Sequence, residues 1–210
     1  MIRIFIADDH PIVRQGLRRI VEADPGLVIA GEAGDAEALL GALDRTATDL
    51  VLLDVSMPGG PFLETLQQLR ARHPTVRVLV LSVHPEDQWA VRALRAGASG
   101  YLTKDHSPEQ LLEAIRRVYR GGKYVSPTLA EHLAKHLDGG GQRAPHELLS
   151  DREFEVMRRL GSGLTVSQIA GELAISAKTV STYRTRILEK MAVGTNAELV
   201  RYAARYGLIG

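Results

Sequence analysis

The chain has 210 residues, a formal net charge of +1 and no cysteine. That length suits one or two domains, and the missing cysteine excludes disulfides and thiolate metal sites. No segment approaches the roughly 18–20 apolar residues of a membrane span, and the start, MIRIFIADDH, lacks the features of a signal peptide; a cytoplasmic protein without a membrane partner is expected.

Up to about residue 123 strands and helices alternate. Strand-like apolar runs are expected near 2–7, 27–33, 50–54, 76–82 and 99–102, with helical patterns between and after them near 11–23, 36–45, 61–72, 86–96 and 108–120. Such alternation predicts a parallel sheet with helices on both faces. Ser107-Pro108-Glu109-Gln110 combines an N-cap, a proline at the first helical position and a capping-box glutamine. Gly121-Gly122 then interrupts the pattern. Ser126-Pro127 opens a short helical stretch to about Leu137, and GGGQRAPHE (139–147) has the composition of a flexible linker. Beyond it every pattern is helical. Ser150–Glu153, Thr165–Gln168 and Thr195–Glu198 are capping-box signatures, Ser176 caps a further helix, and Gly207 suits the position just past a helix end. The chain is therefore expected to divide into 1–122, a linker with a short helix over 123–147, and a four-helix domain over 148–210.

Four of the apolar runs deliver a polar residue at their carboxyl end: Asp8-Asp9, Asp54, Ser82 and Lys104. Continuous apolar runs are the mark of buried parallel strands, and ligands of open α/β sheets bind beyond their carboxyl ends. If these strands are neighbours, one crevice holds three carboxylates, a hydroxyl and an ammonium. Like charges so close repel unless a cation or a proton intervenes, and the constellation predicts a divalent metal and a reactive aspartate. Carboxylates suit Mg²⁺, and a carboxylate can attack phosphorus once a metal screens the anionic donor. Asp54 is then the nucleophile, Asp8 and Asp9 hold the metal, the Ser56 carbonyl completes its shell, and Lys104 and Ser82 contact the phosphoryl oxygens.

Residues 1–122 resemble the receiver domain of two-component response regulators. The residues that carry the likeness are the acidic pair after the first strand, Asp54 with Pro58 four residues on, Ser82, and Tyr101 three residues before Lys104. The resemblance implies a five-stranded, doubly wound, flavodoxin-like sheet, Mg²⁺ as cofactor, a sensor histidine kinase as phosphoryl donor, and a concerted movement of Ser82 and Tyr101 on phosphorylation. Val83 stands where the family usually has a small residue. Its bulk is expected to hinder water and slow hydrolysis of an acyl phosphate.

In the last domain, helices over Thr165–Leu173 and Ser176–Met191 are joined by a short turn around Ala174-Ile175, which is helix-turn-helix spacing. Val180, Tyr183, Ile187 and Met191 form one apolar stripe of the second helix; Lys178, Thr182 and Thr185 fall opposite, flanked by Ser181 and Arg186. Between residues 176 and 206, Lys178, Arg184, Arg186, Lys190, Arg201 and Arg205 face only Glu189 and Glu198, a local excess of positive charge suited to an anionic partner.

Residues 149–208 resemble the LuxR-type helix-turn-helix of the NarL/FixJ response regulators through LSDREFEV, GSGLTVSQIAGELAISAKTVSTYRTRILEKM and NAELVRYA; KTVSTYRTR is similar to members such as BvgA and EvgA. The resemblance implies promoter DNA as partner, read as a repeat of short half-sites by a homodimer, and contact with RNA polymerase. By matched position Ser181, Thr182 and Thr185 face bases, and Lys178, Arg184, Arg186 and Lys190 lie near phosphates. Ser181 stands where many relatives have lysine, and Arg184 at a commonly apolar position, where its stem can snorkel instead. The final helix presents Leu199, Ala203 and Tyr206, which the family uses for dimerisation; the same spacing would equally close the domain's own core.

The expectation is a phosphorylation-switched transcription regulator, not an enzyme beyond its own phosphorylation and dephosphorylation. A Mg²⁺-dependent aspartyl-phosphate phosphatase is the alternative from another class. It lacks a carboxylate two residues after Asp54, where Ser56 stands, and a substrate-cap insertion. A DNA binder with a non-signalling receiver is the third reading, and the complete set of pocket residues counts against it.

Overall fold

The computed structural model describes residues 1–83, 86–127, 129–131, 144–173 and 175–209. The chain forms two compact units, Met1–Gly139 and Gly140–Gly210. The first contains β1 (Ile2–Ala7), α1 (Pro11–Glu22), β2 (Leu27–Ala33), α2 (Ala36–Leu43), β3 (Leu50–Asp54), α3 (Phe62–Arg72), β4 (Arg77–Ser82), α4 (Glu86–Arg95), β5 (Gly100–Thr103) and α5 (Pro108–Tyr119). The second contains a 3₁₀ turn over Pro145–Leu148, then α6 (Asp151–Gly161), α7 (Val166–Glu172), α8 (Ala177–Lys190) and α9 (Asn196–Arg205). Most of the expected linker helix, the glycine run at 139–141 and Ala174 lie outside the described residues.

The five strands form one parallel sheet in the order β2-β1-β3-β4-β5. Every residue of β3, all but the first of β4 and the last four of β1 are buried, as expected of strands covered on both faces. Ile4, Ile6, Leu50, Leu52, Leu79 and Leu81 pack with Leu17 and Val21 of α1 and Leu111, Ile115 and Val118 of α5. Phe62 of α3 meets Trp89 of α4 edge to face at 5.9 Å. The β2 edge is less buried, which fits its mixed sequence LVIAGEA.

At the other edge the chain closes the sheet itself. Tyr101 N–H donates to the Tyr124 carbonyl at 3.0 Å, and Tyr124 N–H donates to Ser99 O at 3.2 Å. This single parallel bridge runs against Gly100. A Cβ at Gly100 would lie 2.8 Å from Tyr124 O and 3.0 Å from Leu79 Cδ1, so only glycine admits the close approach.

The capping boxes at Ser107–Gln110, Ser150–Glu153 and Thr165–Gln168 form in full. At Thr195–Glu198 the hydroxyl accepts from Glu198 N–H as expected, but the Glu198 carboxylate takes the Gly194 N–H at 2.6 Å, one residue earlier than the N-cap. Gly207 adopts φ +62°, with its own N–H on Ala204 O and the Leu208 N–H on Ala203 O, a Schellman ending of α9. Phe154, Met157, Ile169, Val180, Ile187, Leu199, Ala203 and Leu208 make the second unit's core. No described helix is long and apolar enough to cross a membrane.

Candidate functional site

The order β2-β1-β3 places the topological switch point of the sheet between β1 and β3, where ligands of such folds bind. Asp8 and Asp9 follow β1, Asp54 ends β3, Ser82 ends β4 and Lys104 follows β5. Asp8, Asp54 and Ser82 are almost fully buried. Lys104 Nζ lies 2.6 Å from Asp8 Oδ2 and 3.0 Å from Asp54 Oδ1. Its backbone N–H donates to the Ser82 carbonyl at 2.7 Å, fixing the chain where it leaves the sheet. Asp8 Oδ1 accepts the His10 N–H at 2.8 Å.

The crevice is short of positive charge. Among the described residues, Asp8, Asp9 and Asp54 set three carboxylates against the ammonium of Lys104, an excess of two negative charges, which is the charge of one divalent ion. Burial pushes the Asp54 carboxyl above its usual range. Lys104 pulls it down, the Asp8 charge adds to the rise, and the Ser56 backbone N–H opposes it. Burial also works against the Lys104 ammonium, but hydrogen bonds and charge from Asp8 and Asp54 outweigh it and hold its pKa above the ordinary value. Asp54 Oδ2 is buried and has no hydrogen-bond partner among the described residues. An orphaned carboxylate oxygen is costly unless a ligand takes it up. Ligand atoms of Asp8, Asp9, His10 and Asp54 all lie within 4.8 Å of one another, so this acidic cluster is able to hold a metal ion.

His10 is the residue that sequence reasoning passed over. Its Nδ1 lies 2.6 Å from Asp9 Oδ1, and its ring is largely exposed. Its position just after the acidic pair was the available signal. Ser56 lies in the exposed turn two residues past Asp54. Tyr101 is fully buried, whereas Val83, the residue after Ser82, is 70% exposed.

In the second unit, α7 and α8 form the expected pair. Val180, Ile187 and Met191 are buried, and Tyr183 is half-buried. Lys178, Ser181, Thr182, Thr185 and Arg186 are all exposed. Each of the three hydroxyls donates to the carbonyl four residues back: Ser181 to Ala177 at 2.9 Å, Thr182 to Lys178 at 3.0 Å, Thr185 to Ser181 at 3.2 Å. The hydroxyl lone pairs remain free to accept. The other two cations are engaged within the unit. Half-buried Arg184 donates through Nε to Asn196 Oδ1 at 2.7 Å, and Lys190 Nζ lies 2.6 Å from buried Glu153 Oε2. Leu199 and Ala203 are fully buried, and a Cβ at Gly161 of α6 would lie 3.1 Å from the Ala203 methyl; of the three expected dimerisation residues only Tyr206, just past the end of α9, is exposed. Its ring stacks on Tyr202 at 4.5 Å, and His146 Nδ1 lies 2.8 Å from the Tyr202 hydroxyl.

The response regulator receiver domain matches residues 4–116, and the luxR family of bacterial regulatory proteins matches residues 147–203. The chain belongs to the response regulators of the NarL/FixJ family, transcription regulators that join a receiver domain to a LuxR-type DNA-binding domain. It is 38% identical to the response regulator GacA of Pseudomonas viridiflava over 210 residues, which is all of this chain and 98% of that protein. Response regulator UvrY of Escherichia coli (strain K12) is 35% identical over 209 residues, 99% of this chain and 96% of the relative. RcsB from Salmonella enterica serovar Typhimurium, solved bound to promoter rprA in the presence of phosphomimetic BeF3−, matches with a TM-score of 0.72 and 26% identity, covering 97% of this chain and 99% of that one.

Proposed function

We propose that this chain is a cytoplasmic transcription regulator switched by phosphorylation of Asp54 by a sensor histidine kinase. The single observation that carries the reading is the Asp54 carboxylate: buried, bridged by Lys104 on one oxygen and, among the described residues, unpartnered on the other, in a crevice whose described groups are two positive charges short. Oδ2 is the oxygen left to attack phosphorus. As its P–O bond forms, the P–N bond of a phosphohistidine donor breaks, and the nitrogen keeps the electron pair. Asp8, Asp9, Asp54 and the Ser56 carbonyl would hold Mg²⁺, which supplies charge neutralisation for the phosphoryl oxygens. Lys104 and the Ser82 hydroxyl complete the cradle. A phosphoryl group adds about 1.5–2 negative charges, and Ser82 and Tyr101 shift as Ser82 is drawn to it.

The switched state binds promoter DNA as a homodimer on a repeat of short half-sites and engages RNA polymerase. Ser181, Thr182 and Thr185 face base edges, with Lys178 and Arg186 on phosphates. The internal bonds of Arg184 and Lys190 make them supports of α8 first and phosphate contacts only if they rearrange. Dimerisation draws on the outer side of α9 around Tyr206, while Leu199 and Ala203 support that helix from within. RcsB in its DNA-bound structures supports the DNA reading by likeness.

The test is direct. Purified protein given acetyl phosphate and Mg²⁺ is expected to gain one hydroxylamine-labile phosphoryl group by intact mass. Chelation by EDTA and the Asp54→Asn substitution should each abolish the gain. Undiminished phosphorylation of Asp54→Asn overturns the assignment.

A further inference from the structure

We infer that the first unit carries its own contact surface for DNA phosphates, at the end of the sheet opposite the acidic crevice. The surface surrounds the turn Gly121-Gly122-Lys123. The turn is a Schellman ending of α5: Gly121 has φ +89°, its N–H donates to Val118 O at 2.9 Å, and the Gly122 N–H donates to Arg117 O at 3.0 Å. Arg77, the first residue of β4, reaches Gly121 with its guanidinium, and the Arg117 stem lies against Gly122. The Lys123 ammonium sits on the carbonyl of Ala98. Arg70 donates through Nη1 to Pro74 O at 2.9 Å and Val76 O at 3.0 Å.

Four cations therefore meet around one turn, and among the described residues none forms an ion pair with a carboxylate. Two nearby acids are committed elsewhere, Asp49, beside the foot of β4, to Arg3, and Asp24 to Arg116, while Glu113, one turn before Arg117 on α5, forms no ion pair among the described residues. Partial burial and the charges of Arg70 and Arg77 all lower the Lys123 pKa, and no acid offsets them. The carbonyl end of α5 favours one such charge. It does not account for the rest. Arg77 makes no hydrogen bond through its side chain among the described residues, so its guanidinium is available.

The partner follows from what the turn leads into. Residue Tyr124, pinned to β5, is the start of the connection to the DNA-binding unit; the twenty residues from it to Ala144 reach at most about 70 Å. When the second unit is on DNA, duplex bearing a charge every ~1.7 Å lies within that tether, at high effective concentration. The inference rests on the DNA-binding reading above.

Its test uses the full chain on a long mixed-sequence DNA duplex, measuring affinity by fluorescence anisotropy across a series of salt concentrations. Each phosphate contact contributes about −0.9 to the slope of log K against log salt. Arg77→Gln with Arg117→Gln is expected to flatten the slope by about 1–2 and weaken binding severalfold at low salt. Arg117→Gln alone, at an exposed position, should flatten it by about 1 even if the double variant folds poorly. Wild-type binding with slopes unchanged in both variants overturns the inference alone. A wild type without DNA affinity at any salt removes the DNA-binding reading and this inference together. A slope that changes for an acidic protein surface but not for DNA would assign the patch to a protein partner and also overturn it.

Discussion

Lys190, in the last turn of α8, donates to the buried carboxylate of Glu153 in the first turn of α6 at 2.6 Å. Glu153 also accepts the Ser150 N–H at 2.8 Å as half of a capping box. One carboxylate thus caps α6 and anchors the far end of the helix expected to enter a DNA groove. Burial pushes the Glu153 carboxyl up, but Lys190 and the Ser150 backbone and side chain prevail and hold it below its ordinary value.

That pair predicts an acid-labile second unit. A depressed folded-state pKa contributes stability above the unfolded value, near 4.3, that is lost as pH falls through the lower folded value. Lys190→Met should leave the carboxylate unpaired and cost about 2 kcal/mol. This is less than a fully buried pair would lose, because Lys190 is partly exposed. Chemical unfolding at pH 7 and pH 3 measures both; equal loss at the two pH values would contradict the assignment.

Asp54 behaves in the opposite sense. Its raised pKa means that ionisation opposes folding: the penalty is absent below about pH 4, the unfolded value, and is complete once pH has risen past the folded value. Without divalent ions, Asp54→Asn is expected to stabilise the first unit by about 1 kcal/mol at neutral pH. Added Mg²⁺ should raise the wild-type melting temperature, as any ligand of the folded state does, and raise that of the variant much less. Differential scanning with and without Mg²⁺ is the measurement; a variant that gains as much from the ion as wild type would move the metal away from Asp54.

Val83 stands exposed beside the buried Ser82. If its isopropyl group hinders water's approach to an acyl phosphate, Val83→Ala should shorten the phosphorylated lifetime. A barrier lower by about 1 kcal/mol would speed hydrolysis roughly fivefold. Loss of the phosphorylated mass species over time reports it directly, and an unchanged lifetime would falsify the role.

Thr182 is exposed, and among the described residues its hydroxyl bonds only Lys178 O four residues back. Thr182→Val should leave folding nearly unchanged. On a site selected from a random DNA pool it should lose about 0.5–1.5 kcal/mol of affinity, because a base edge loses its single hydrogen-bond partner. Affinity for mixed-sequence DNA and the salt slope should hold. Equal losses on both DNAs would recast Thr182 as a backbone contact.

Much of this was legible in the sequence, because the apolar runs ending in Asp8-Asp9, Asp54 and Ser82 are local patterns whose burial fixes their direction. The observed helices begin and end within a few residues of the expected spans, since Ser107, Ser150, Thr165 and Ser176 mark their own starts. What escaped is long-range. Lys190 and Glu153 are 37 residues apart, and Arg184 and Asn196 are 12 apart, so no helical periodicity announces that two apparent DNA-facing cations are tied within the unit. Leu199 and Ala203 had the spacing of either a core or an interface, and packing against α6 decided for the core in this structure. The Glu198 carboxylate took a neighbour's N–H one residue early, a choice of rotamer that the motif does not encode.

The Tyr124 bridge has a consequence for self-association. An open strand edge invites another chain to add a strand of its own. Along β5 the Tyr101 N–H and the Ser99 carbonyl are already spoken for by Tyr124. A second molecule that added a strand at these positions would have to peel away the start of the linker first. Copies of this protein that meet at the β5 margin therefore cannot extend the sheet through the Tyr101 N–H or the Ser99 carbonyl while Tyr124 stays seated.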